Sequence, residues 1–159
     1  YAAMRLLPVF AGYVYIVIRD KETIKKIADA TAEWMQQEID AGSSDKRYFT
    51  TVLRAYNDRG QDIIARNAPM LIFATASLNR TGVSNAEQAA YAELFAPTIG
   101  LGTTIAGFIQ TCGIAGYQPL LDLVGVPPKF KICGTLMVGH PKYKFQRMVE
   151  RQHLKVEFK

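Results

Sequence analysis

Nowhere in the 159 residues does an uninterrupted apolar run approach the ~20 residues of a bilayer-spanning helix, and no charged-then-apolar signal segment opens the chain. A soluble, cytoplasmic protein with no membrane partner is the expectation. Cysteine is scarce: Cys112 and Cys133 sit alone in apolar surroundings, which predicts buried free thiols in a reducing compartment and no structural disulfide. His140 and His153 are the only histidines, and their spacing from the cysteines forms no compact zinc set. No C-x-x-C-x-x-C run is present to hold an iron–sulfur centre. The chain lacks a G-x-S-x-G elbow and carboxylates paired about an obvious cleft, so hydrolysis by nucleophilic or acid–base chemistry has no support. Gly100-x-Gly102 follows a helix instead of a strand and lacks the third glycine of a dinucleotide fingerprint. Gly102-x4-Gly107 has the spacing of a phosphate loop, but Phe108-Ile109 stands where lysine and a hydroxyl residue are required.

What the chain does have is apolar substance: 49% of it is hydrophobic, enough for one domain, residues 1–159, with a sizeable core. It begins at Tyr1 without a methionine and is expected to lack its natural amino end. The net charge of +5 is uneven, because residues 129–159 carry eight basic and two acidic side chains. That basic end could face a phosphorylated ligand, or be a solvated tail. Nucleic acid is not expected, since no known motif accompanies the charge and the nearby aromatics are few.

Taken in order, Tyr13–Ile18 is a β-branched and aromatic run that predicts a strand covered on both faces. Asp20 caps a helix over Lys21–Ile39, where Ile24, Ile27, Ala28, Thr31, Trp34, Met35 and Ile39 step by three and four, and Trp34 anchors the core. A second helix is predicted over Tyr48–Tyr56, a second strand over Asn67–Thr75, a helix within Gln110–Val124, a third strand over Lys131–Gly139 and an alternating edge strand at Leu154–Phe158. Strands separated by long helices give an α+β or α/β architecture.

The chain is organised around Ser84–Phe108. Ser84-Asn-Ala-Glu87 predicts a capped helix start, and the apolar residues that follow predict a helix buried on most sides as far as Leu101, kinked by Pro97. Gly100 and Gly102 end it. Thr103–Ile109 is small or apolar throughout and is expected to be a buried turn that lets a ligand approach the backbone. With the basic cluster Lys142, Lys144, Arg147 and Arg151, this turn suits a flat cofactor bearing a phosphate.

The succession Arg66-Asn-Ala-Pro69, Tyr91-x-x-Leu-Phe-Ala-Pro-Thr-Ile-Gly-Leu-Gly-Thr103, Ala106-Gly-Phe108, Leu123-Val-Gly-Val-Pro127 and Leu136-Met-Val-Gly-His-Pro-Lys-Tyr-Lys144 resembles the FMN-dependent nitroreductase family over nearly the whole chain. It looks closest to the branch in which a ferredoxin-like iron–sulfur segment often precedes the flavin domain. The resemblance implies an α+β three-layer sandwich, a central mixed sheet flanked by helices in an intertwined homodimer. It implies FMN as cofactor, a small-molecule electron acceptor such as a nitroaromatic or quinone, and NAD(P)H or ferredoxin as donor. Thr104, Ile105, Ala106 and Gly107 would run beside the isoalloxazine, the Gly107 amide facing flavin N5, while Arg147 and Lys144 would contact the phosphate. No catalytic side chain is implied. The family's arginine-rich phosphate-binding segment lies upstream of Tyr1, and Pro8-Val-Phe-Ala-Gly-Tyr13 carries neither the asparagine nor the glutamine that the family places against the flavin. Those departures favour the rival reading, a diverged dimerisation module with little flavin.

Overall fold

In the computed structural model, residues 13–77, 84–143 and 157 are described. Strand β1 (Tyr13–Ile18) forms where the β-branched run predicts it, and helix α1 (Lys21–Asp40) follows. The α1 cap is Asp20, whose carboxylate accepts from the Thr23 amide at 2.8 Å and the Thr23 hydroxyl at 2.7 Å. Its inner face buries Ile24, Ile27, Ala28, Thr31, Trp34 and Met35, and the Trp34 ring lies 5.5 Å from that of Phe49 in α2 (Lys46–Leu53). The predicted Tyr48–Tyr56 helix thus starts earlier and loosens into a π-turn over Arg54–Asp58. Tyr56 in that turn donates to the Asp29 carboxylate at 2.8 Å, tying it to α1.

Strand β2 spans Met70–Ser77 and β4 spans Phe130–Gly139. The strand order is β1-β2-β4-β3, and every pairing among the described residues is antiparallel. The alternating segment Leu154–Phe158 falls outside the described residues except Glu157, which is exposed and belongs to no strand.

A bulge sets which side of the sheet each helix can reach. Ala74 pairs with Gly134 but Thr75 pairs with Ile132, so Cys133 is an extra residue and the side chains on either side of it point to opposite faces. Ile132 meets Gly113 of α4 (Gly107–Ile114), on the face that α1, α2 and α5 (Gln118–Val124) also cover. Gly134 meets Ala89 of α3 (Ser84–Phe95) on the other face, where Tyr15 donates to the Gln88 carbonyl at 3.0 Å. Three layers result, with Phe73, Ile27, Met35, Leu71, Ile109 and Leu120 at the centre of the larger core.

Two expectations for the central stretch are corrected. The helix does not run to Leu101: after Phe95 it tightens into a 3₁₀ turn over Ala96–Ile99, with Pro97 in its first turn where no amide is needed, and Gly100 closes it at φ 78°. Nor is it buried on most sides in a single chain, since Tyr91, Leu94, Phe95 and Ile99 are exposed by 49 to 76%. The helix predicted within Gln110–Val124 is α5, which buries Leu120 and Val124 and ends at Gly125; the residues before it finish α4, and Gly116 at φ 77° parts the two.

Candidate functional site

The predicted buried turn at Thr103–Ile109 is instead a short strand, β3 (Gly102–Ile105), followed by the start of α4. Thr104 pairs with Met137 and Ile105 with Leu136, so β3 is held to the sheet by backbone bonds to β4. Its outer face is open: Thr104 and Gly107 are exposed and Ile105 is 54% exposed, while Ala106 alone is fully buried. A four-residue strand without apolar alternation carries no period for the sequence to display.

At the end of β3 the chain turns sharply. Ala106 (φ −83°, ψ 67°) donates its amide to the Thr135 carbonyl at 2.9 Å, and α4 begins at Gly107. No side chain caps this helix, so its first-turn amides are free to meet a ligand. A Cβ built on Gly107 would find nothing within 4 Å.

Beside this corner lies a cavity of about 420 Å³, lined by Ile105, Gly107, Phe108 and Thr111, by Asp45 and Tyr48 at the start of α2, and by Arg66 and Met137. The Tyr48 and Phe108 rings form one wall, 5.5 Å between centroids. On the other side of Arg66 a second hollow of about 410 Å³ runs past Pro69, Thr103, Thr104 and Val138 to His140 and Lys142. Arg66 and Met137 line both, so the two hollows adjoin as a trough along the β3–β4 edge.

Thr104, Ile105 and Gly107 therefore meet at the trough as predicted residues, with Ala106 beneath them as a backbone pivot. Lys144 and Arg147 lie outside the described residues, as does Arg151; Lys142 is exposed at the end of the second hollow, its ammonium 5.4 Å from the Tyr143 ring centre. His140 is exposed there too. Among the described residues no three His, Cys, Asp or Glu side chains gather as a metal site, and both thiols are free. Burial pushes the Cys112 thiol behind α4 up to about 12, a hydrogen bond with Thr31 opposing it, and burial also raises Cys133.

Arg66 was not predicted as a site residue. It and Asn67 both adopt left-handed backbone at φ 53°, a conformation uncommon for arginine. The Asp62 carboxylate holds them there, accepting from the Ala65 and Asn67 amides at 2.8 Å each. Only Asn67, which tolerates that region, hinted at the bend.

Residues 12–140 match the Nitroreductase family. The chain belongs to that family. Among solved structures, this nitroreductase-family chain resembles an FMN-bound nitroreductase from Bacteroides fragilis (TM-score 0.58, 17% identity, 96% of this chain and 78% of that one). It also resembles an FMN-bound nitroreductase from Desulfitobacterium hafniense (TM-score 0.63, 16% identity, 91% and 76%). A third likeness is to the FMN and NADPH-dependent nitroreductase NfnB from Sphigopyxis sp. strain HMH (TM-score 0.52, 13% identity, 90% and 81%). At these identities the likeness is one of fold. No curated protein matches the nitroreductase-family chain in sequence. No described helix is long and apolar enough to cross a membrane.

Proposed function

We propose that residues 1–159 form a single FMN-dependent oxidoreductase domain that reduces nitroaromatic, quinone or similar small acceptors. The observation that carries this reading is the corner at Gly107, where uncapped helix amides border a trough and the space beside the backbone is empty. The trough suits the group: its two hollows fall in the size range of small-ligand sites, the first with mixed polar and apolar walls and the second mainly apolar, with the Arg66 cation between them. When bound, FMN supplies the hydride and electron transfer, and the protein's share is to hold and orient it.

In this assignment Thr104, Ile105, Ala106 and Gly107 present backbone along the ring. The Gly107 amide offers a hydrogen bond at N5, and Lys144 and Arg147 neutralise the phosphate. Tyr48 and Phe108 exclude water from one wall of the trough. A nicotinamide donor is favoured over ferredoxin by the NADPH dependence of NfnB. The exposed α3 residues Tyr91, Leu94 and Phe95 favour a homodimer that covers them, and the free thiols suit a cytoplasmic setting.

Gly107→Val tests the assignment. A Cβ there meets no protein atom within 4 Å, so the variant should keep its fold while losing FMN, read by flavin fluorescence titration beside a melt. Equal FMN affinity in wild type and variant would remove Gly107 from the site.

A further inference from the structure

Strand β3 ends one residue short of what β4 still offers for pairing. Ile105 is the last residue in register, opposite Leu136, and the next residue on β4, Thr135, turns both its backbone groups toward the corner. Its carbonyl accepts from the Ala106 amide at 2.9 Å, and its amide donates to Oε1 of Gln110 at 3.0 Å. Gln110 in turn donates its own amide to the Ala106 carbonyl at 2.8 Å. A closed ring of three hydrogen bonds therefore joins Ala106, Gln110 and Thr135, with Gly107, Phe108 and Ile109 spanned between the first two.

Most of the rest of α4's attachment is apolar burial, through Ile109 and the Cys112 side chain, which also meets Thr31 of α1, and apolar contacts resist separation more than sliding. A hydrogen bond is directional, so the Gln110 carboxamide adds to the Ala106–Thr135 backbone bond a second directional tie, one that bears on the height and tilt of α4's first turn over β4. We infer that Gln110 is a positioning residue: by standing in for the missing strand partner of Thr135, it sets where the Gly107 amide meets a bound flavin ring. It touches no part of the ligand itself. This inference rests on the flavin assignment proposed above.

The test compares wild type with Gln110→Met, which keeps length and loses the acceptor, and Gln110→Glu, which keeps an acceptor. Riboflavin is the probe, so that the added charge of glutamate meets no phosphate, with FMN in parallel. The Met variant should bind riboflavin and FMN weaker by the same factor, about tenfold, the size of one buried hydrogen bond. Its Thr135 amide should exchange hydrogen faster, and the Glu variant should regain riboflavin affinity. Should the Met variant fail to fold, Gln110→Asn, one methylene too short to reach Thr135, must show the same loss. Wild-type affinity in the Met variant, or a Glu variant as weak as the Met one, overturns the inference alone. A wild-type chain that binds neither flavin overturns the assignment and the inference together.

Discussion

Gly134→Ala is the most exacting single-atom perturbation the fold offers. A Cβ at Gly134 would stand 2.5 Å from the Cβ of Ala89, whereas carbon atoms rest at about 3.5–4.0 Å. Ala89 has no rotamer with which to yield, so α3 must lift from β4 by roughly 1 Å along its contact. Overpacking of this kind costs about 1–3 kcal/mol, against which replacing glycine in a strand returns about 0.4–1 kcal/mol of unfolded-state entropy. A net loss of about 1–2 kcal/mol is expected, which for a chain of this length lowers the melting temperature by about 2–8 °C. Ala89→Gly reopens the space at about 1 kcal/mol of helix propensity. The double variant should therefore be more stable than the two single losses predict, and urea unfolding of all four proteins measures the difference. A Gly134→Ala protein with the wild-type urea midpoint, or a strictly additive cycle, would refute the close approach of α3 to β4.

Asp62→Ala removes the acceptor of two amides and should cost about 1–2 kcal/mol in urea unfolding, with weaker FMN binding because Arg66 loses its fixed bend; unchanged stability would show the bend to be self-supporting. Burial lifts Cys112 from 9.0 to about 12, so below pH 9 both folded and unfolded thiols are protonated and the contribution is intact; above it the unfolded thiol ionises first and stability falls toward pH 12. Cys112→Ala should flatten that alkaline decline, as followed by melting between pH 8 and 11. Arg147→Ala should weaken FMN far more than riboflavin, and an equal loss for both would remove it from the phosphate site. Leu94→Glu, on the exposed face of α3, should shift the species in sedimentation from dimer toward monomer at unchanged far-ultraviolet dichroism; a dimer mass that persists would place the interface elsewhere.

The elements with a strong local signal were legible. β1 matches its predicted bounds because six consecutive β-branched or aromatic residues admit little else, and α1 does because Asp20 and the three-four spacing mark its start and inner face. β3 was not legible: Gly102-Thr-Thr-Ile105 is extended only because β4 lies beside it, a long-range cause that four residues cannot announce. The same holds for Gln110, whose role depends on Thr135 twenty-five positions away. Within the site, Gly107 could be singled out for its lack of a Cβ, and it borders the trough, but the buried turn expected around it is strand β3 and the start of α4. Arg66 was not, since its left-handed backbone is imposed by the Asp62 carboxylate and leaves no trace in composition.

The strand order also governs when the molecule can fold. Among the described residues β4 is the last strand in the chain, yet it lies between β2 and β3 and is the only partner β3 has. As the chain leaves the ribosome, β1 and β2 can meet early, but β3 and the corner at Gly107 have nothing to pair with until residues 130–139 emerge. Until then the inner edge of β2 is unpaired and open to foreign strands. The trough is thus assembled only once residues 130–139 have emerged, and a nascent chain stalled before Phe130 would carry a half-sheet that calls for chaperone cover.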